Sequence, residues 1–321
     1  MLQEISLLSP ISLLSILATI ILSFIFLFKT LKNPAGGKRL PPSPPSIPVI
    51  GNLHQLGRQP HRSLQALSRR HGPDLMRLRL GSVPVVIVSS ADAALEVMKA
   101  HDLAFSDRPK AVRFEKLLYN YRDVSTAPYG EYWRQTKSIC VLHLLSKKRV
   151  RSFRQVREEE TKLVTEKIRQ SCSLSGTTSS PAVNLSELFA GLANDVVCRV
   201  AFGRKYNHKG GQGREFKEVL GEFTELLGCF SIGDYVPMLS WLSRVNGLEA
   251  RMDRVAKELD EFLEGVVEEH MESGSDDHEE DQHKNFVDIL LWIQRENLLG
   301  FPIDRTCIKA IILVRISLSS Y

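Results

Sequence analysis

Trp133 and Lys137 stand four residues apart on a stretch that should be helical, and they raise the first chemical question in this 321-residue chain. The stretch follows the turn Pro128-Tyr129-Gly130, and no Pro or Gly interrupts the next fifteen residues. Residues four apart share one helix face. An indole N–H beside an ammonium makes a two-donor clamp for an anion. The same spacing equally suits a lysine stem lying over a half-buried indole, with no ligand involved.

Other reactive residue types are present without forming a site. The five cysteines, at 140, 172, 198, 229 and 307, make no close pair, which fits reduced thiols better than a disulfide framework or a zinc site. The stretch from Ser273 to Lys284 carries Asp276, Asp277, His278, Glu279, Glu280, Asp281 and His283. It has no apolar residue to order it and no His pair at helical spacing, so a solvated acidic loop is expected rather than a metal site. The net charge of +5 is spread along the chain, which argues against a nucleic-acid partner.

The elements that would position the clamp can be read in order. Ile5 to Phe28 has no charged residue. As a helix it would be about 36 Å long, enough for a bilayer core. Lys29, Lys32, Lys38 and Arg39 follow it, so an uncleaved anchor with a cytosolic body is expected. Leu40 to Pro48 then holds five prolines, a stiff stalk ending near Gly51-Asn52. Gln59-Pro60 opens a helix closed by Gly72. Leu75–Leu80 and Val85–Val88 read as a hairpin, and Ser89 with Asp92 as a capping box for a helix to about His101. Lys110 to Thr126 is charged and aromatic without a clean period, which suits a surface loop.

From Val150 onward the pattern is helical. Val150, Phe153, Val156, Leu163 and Ile168 form one stripe before a Ser/Gly/Thr-rich break at Ser171–Ser180. Asn184 with Glu187 caps the next helix, whose stripe is Leu185, Leu188, Leu192, Val196 and Val200, ending at Gly203. Further stripes are Phe216, Val219, Phe223, Leu227 and then Met252, Val255, Leu259, Phe262, Val266. Asp304 starts a last helix, whereas Val314 to Tyr321 alternates with a strand-like period of two. With 43% hydrophobic residues the chain can bury a sizeable core. The expected class is mainly α with a small β-sheet.

Tyr129-Gly130-Glu131-Tyr132-Trp133-Arg134-Gln135, followed by Ser138-Ile139-Cys140, resembles the cytochromes P-450, haem-thiolate monooxygenases, and most of all the plant microsomal group. The proline hinge with Val49-Ile50-Gly51-Asn52-Leu53, the segment Phe105-Ser106-Asp107-Arg108-Pro109 and Phe286 to Ile293 are similar to family segments. In the family this helix carries W-x-x-x-R, whose two side chains hold a haem propionate. The resemblance therefore implies propionate binding by Trp133 and Lys137, with Lys137 keeping the charge but not the planar fork of Arg. It makes Lys110 to Thr126 the substrate-contacting loop.

The resemblance implies four regions. They are an anchor at 1–28, a basic flank and proline hinge at 29–52, the N-terminal part of the family domain at 53–313, and a tail at 314–321. It implies an endoplasmic-reticulum membrane protein with a lipophilic small-molecule substrate, membrane lipid around the anchor, and an NADPH-dependent reductase as electron donor. On that resemblance the chain stops before the family's A-G-x-D-T motif, its E-x-x-R helix and its F-x-x-G-x-R-x-C-x-G thiolate loop. The expectation is accordingly a truncated, inactive form that does not stably bind haem, with no catalytic residue of its own. Cys307 is the nearest cysteine to the truncated helix and, of the five, the first candidate for an accidental ligand. Ile308, Ile311, Ile312 and Leu313 are expected to lack packing partners. The alternatives are a non-catalytic membrane-anchored binding or regulatory fragment and an unstable product of a truncated gene.

Overall fold

Pro60 and Gly72 bracket the first helix, α1 (Pro60–His71), where the missing N–H of proline costs nothing and glycine follows the last turn. The computed structural model describes residues 15–16, 18–19, 21–23, 40–173, 183–206, 212–272, 284–297 and 303–317. The chain forms two units, Met1–His101 and Asp102–Tyr321.

In the first unit β1 (Leu75–Leu80) pairs antiparallel with β2 (Val83–Val88), Leu75 opposite Val88 and Leu80 opposite Val83. Met76, Leu78 and Leu80 alternate inward. The second strand starts at Val83, two residues before the expected Val85, because Gly81 at φ +59° lets the chain reverse in two residues. The helix cap also falls one residue later than expected. Ser90, not Ser89, accepts from Ala93 N, opening α2 (Ala91–Leu95), which continues as a wider π turn to Ala100. The Ser89 hydroxyl instead lies 2.8 Å from that of Ser68.

The proline segment is docked along β1. Arg77 N donates to Pro42 O at 2.8 Å, and fully buried Asn52 accepts from Arg79 N at 2.8 Å while donating to Pro45 O at 3.1 Å. Gly51 has φ +61°, and a Cβ there would lie 1.9 Å from Arg79 O, so only glycine fits. The expected anchor, residues 5–28, lies largely outside the described residues. Among those described, no helix is long and apolar enough to cross a membrane.

The second unit is helical. It comprises α3 (Val112–Leu117), α4 (Glu131–Ile139), α5 (Lys147–Ser152), α6 (Arg154–Ser173), α7 (Leu185–Phe202), α8 (Gln212–Gly228), α9 (Leu242–Val245), α10 (Leu248–Glu272), α11 (Phe286–Glu296) and α12 (Arg305–Ser317). The long α10 packs against α3, α8, α9, α11 and α12, and α7 packs against α6, α11 and α12. The stripe of α10 is core, with Met252, Val255, Leu259 and Val266 buried. Asn285 and Asp288 close a capping box at α11, whose Phe286 to Leu291 run is almost wholly buried.

Two stripes are less buried than their pattern suggests. On α7, Leu185 is exposed, Leu188, Leu192, Val196 and Val200 are half-buried, and the deep contacts are Cys198, Ala201 and Phe202. On α6, Leu163 is exposed. The caps are as expected: Asn184 accepts from Glu187 N, and Gly203 ends α7 at φ +73°.

The last helix corrects two expectations. Residues 314–317, read as strand-like, continue α12, because Val314 and Ile316 find partners in the core on helical geometry. Ile308, Ile311, Ile312 and Leu313 are buried rather than unpartnered, at most 2% exposed. Tyr321 and the three residues before it lie outside the described residues, as does the acidic stretch 273–283. Among the described residues no group of three His, Cys, Asp or Glu could hold a metal ion.

Lys309 carries its cation into this core. It donates to Asp260 at 2.5 Å and Glu264 at 2.8 Å, and lies over the Tyr119 ring. The hydrogen bond from Lys309 is the largest influence on Glu264 and, with that from Arg305, outweighs desolvation and holds its carboxyl below its ordinary 4.5. A depressed carboxyl stabilises the fold above its unfolded pKa, and that contribution is lost as pH falls through the folded value. Stability should therefore drop below about pH 4.5, and Glu264→Gln should flatten that limb of the urea midpoint against pH.

Candidate functional site

α4 begins after Gly130 with Glu131 in its first turn, where a carboxylate opposes the positive end of the helix dipole. After Ile139 the helix widens into a π turn, Cys140–Leu144, which turns Cys140 and Leu144 into the core and leaves Val141 and Leu142 exposed. Ahead of the helix, fully buried Asp123 folds the approach. Its carboxylate accepts from Ser125 N at 2.6 Å, Thr126 N at 3.1 Å and both hydroxyls of Ser125 and Thr126. The sequence reading passed over Asp123. Asp-x-Ser-Thr is a turn-forming run, which was the available signal.

That turn brings Val124 O to the helix. Trp133 Nε1 donates to it at 3.0 Å, so the indole donor is engaged by the backbone. Lys137 Nζ lies 4.6 Å from the centre of the Trp133 ring, and the Tyr129 ring packs against the same indole with centroids 5.5 Å apart. The structure thus brings the two residues together as a cation stacked on an indole, with Lys137 exposed at its tip.

On the inner side of α4, the Tyr132 hydroxyl donates to Arg122 O at 2.6 Å, and Cys307 Sγ of α12 lies 3.4 Å from the Tyr132 hydroxyl oxygen. Burial, then the Cys307 contact, raises the Tyr132 hydroxyl pKa. Arg122 in turn pairs with Asp304 at 2.6 Å, tying the loop to the start of α12.

Lys110 to Thr126 is not a uniform loop. It contains α3, and Leu117 and Leu118 enter the core. Tyr119, Asn120 and Tyr121 follow with φ of 51°, 53° and 62°, a left-handed run that turns the chain. Tyr121 Oη and the Ala111 backbone exchange hydrogen bonds at 3.0 Å, and Arg113 pairs with Asp234 at 2.9 Å. The segment is strapped at both ends.

Burial decides the thiols. It pushes Cys140 up to about 11, Cys198 to about 12, and Cys307 above its ordinary 9.0. Cys172 is exposed and Cys229 half-buried.

With this geometry described, comparison with known proteins is decisive. The family model described as Cytochrome P-450 matches residues 41–309. The chain belongs to the cytochrome P-450 family. Cytochrome P-450 736A117 of Prunus mume is 63% identical over 275 residues, covering 85% of this chain and 51% of that protein. Cytochrome P-450 71A22 of Arabidopsis thaliana is 51% identical, covering 94% of this chain and 58% of that protein. Norfluorocurarine oxidase of a Strychnos species is 49% identical, covering 96% and 60%. The chain spans a little over half the length of these relatives. A solved zebrafish cytochrome P-450, with progesterone, aligns at a TM-score of 0.61 and 19% identity over 80% of this chain and 55% of that one, which shows the fold.

Haem is the cofactor this family implies, and the side chains fit only part of it. Lys137 offers an exposed cation to a carboxylate. Trp133 would have to give up or share its bond to Val124 O to join it. Axial ligation by a thiolate is not fitted: Cys140, Cys198 and Cys307 are packed into the hydrophobic core, and Cys172 and Cys229 lie at or near the surface.

Proposed function

We propose that this chain is the anchor, substrate-loop and propionate-side portion of a membrane-bound haem-thiolate monooxygenase of the plant microsomal type. The observation that carries the reading is Lys137 stacked 4.6 Å over Trp133 on α4, inside the segment matched to the family. Haem bound to a thiolate supplies oxygen activation in such enzymes. The chain's own contribution is to place a cation where one haem carboxylate ends, and to wall a lipophilic substrate with the strapped segment Lys110 to Thr126. The axial thiolate comes from the part of the family domain that this chain does not match. The substrate is a lipophilic small molecule of the specialised-metabolite class, and the electrons come from an NADPH-dependent reductase at the endoplasmic-reticulum membrane, to which residues 5–28 anchor the cytosolic body.

The test completes the domain with the remaining portion of the Prunus mume relative. Lys137→Ala should weaken haem retention about tenfold, the size of one charge-assisted hydrogen bond. Lys137→Arg should restore it or tighten it, because the guanidinium fork meets a carboxylate with two donors. Haem retention indifferent to Lys137→Glu would refute the propionate assignment.

A further inference from the structure

The segment Lys110 to Thr126 is tied down at both ends. Upstream, Arg108 Nε donates to Ser125 O at 3.0 Å. Downstream, Leu117 and Leu118 enter the core, and Lys116 reaches Asp253 of α10 at 2.5 Å. Between these points burial falls off toward the start of α3, where Val112 is exposed and Arg113 and Phe114 are half-buried.

The start of α3 has no cap of its own. Ala111 occupies the N-cap and offers no side-chain acceptor. The acceptor comes from 122 residues further along the chain. Asp234 Oδ1 accepts from Val112 N at 3.2 Å, and Asp234 Oδ2 accepts from Arg113 Nη1 at 2.9 Å. One carboxylate therefore satisfies an open helix N–H and neutralises the adjacent guanidinium. The ion pair is largely withdrawn from water, its side chains 8% and 18% exposed, so each charge is costly without the other.

The loop that carries Asp234 is itself held. Asp234 closes a 3-10 turn, Ile232–Asp234, set between buried Ser231 and Val236. A Cβ on Gly233 would lie 2.9 Å from Ser240 Cα, so the turn packs closely on the chain that follows it. The bonds between Tyr121 and Ala111 lie within the segment and keep it folded, whereas those to Asp234 tie it to a different element.

We propose that Asp234 is a positioning residue for the substrate wall. It latches the first turn of α3 to the loop after α8 and so fixes the face that Lys110 to Thr126 presents to a ligand. The latch belongs to this chain alone; its effect on a ligand rests on the reading of the segment as a substrate wall.

The test follows amide hydrogen exchange of the full chain in neutral detergent micelles by mass spectrometry of peptides covering residues 110–118, with the buried run of α11 as internal control. Asp234→Asn and Arg113→Gln should each speed exchange at the start of α3 about tenfold, the size of one charge-assisted hydrogen bond, and leave α11 unchanged. The double variant separates a latch from general damage. Its two amides can bond each other, and Asn keeps an acceptor for Val112 N, so exchange should fall below that of either single variant. In the domain completed as above, the probe is 1-phenylimidazole, whose ring nitrogen binds haem iron. It should leave Asp234→Asn about tenfold faster than the parent, with haem retention unchanged. Unchanged exchange in the single variants, or a double variant that exchanges as fast as the faster single, overturns the latch and leaves the monooxygenase reading standing. Faster exchange with unchanged release of 1-phenylimidazole from a domain that retains haem overturns the positioning role, and with it the assignment of the segment as substrate wall.

Discussion

Haem added to the purified chain should give no thiolate-ligated complex, and its reduced carbon-monoxide form should lack the long-wavelength Soret band that such ligation produces. The reason lies in the thiols. Cys140 and Cys198 are packed into the hydrophobic core, so iron could reach either sulfur only by opening that core. Cys307 is 1% exposed and its sulfur lies against Tyr132 Oη, so iron could reach it only by opening the contact between α4 and α12. The remaining contact, Lys137, is worth on the order of 1 kcal/mol if exposed and about 1.5–3 as a tight charged hydrogen bond. Nanomolar binding needs about 12 kcal/mol. Cys307→Ser is the control. A band that appears in the parent chain and vanishes in that variant would mean ligation by a route the family does not use, and would overturn this account of the thiols.

The parts of the molecule legible in the sequence are those governed by local rules. Pro60 and Gly72, the Asn184 cap, the Gly203 terminus and the α10 stripe all follow from backbone chemistry or from a periodicity of 3.6. The misreadings occur where distant residues decide. Residues 314–317 alternate in a pattern of two, yet they are helical, with Val314 and Ile316 both buried in the core. A helix apolar all round carries no usable moment, so its last turn is easily mistaken for a strand. Leu185 and Leu163 lie on good stripes but at helix positions that nothing covers among the described residues. At the candidate site the pairing of Trp133 with Lys137 was legible from spacing. The engagement of the indole by Val124 O was not, since it depends on how Asp123 folds the preceding turn.

Urea should unfold the second unit in one cooperative step, and Ile312→Ala should lower its stability by about 2–5 kcal/mol. Ile312 is 1% exposed, and its neighbours in the core come from helices far apart in sequence, so truncating it leaves a cavity that local relaxation cannot fill. A domain's whole stability is about 5–15 kcal/mol, so a loss of this size would move the midpoint well outside error. Trp133, Trp241 and Trp292 all fall in the second unit, and they are the chain's only tryptophans, so indole fluorescence reports that unit alone. Trp292 on α11 packs against the same core cluster as α12. If α12 were loosely held, with its apolar residues facing solvent as the sequence had suggested, the parent transition would be broad and the midpoint of Ile312→Ala unchanged. A sharp transition that shifts in the variant is the result expected from a helix buried on every side.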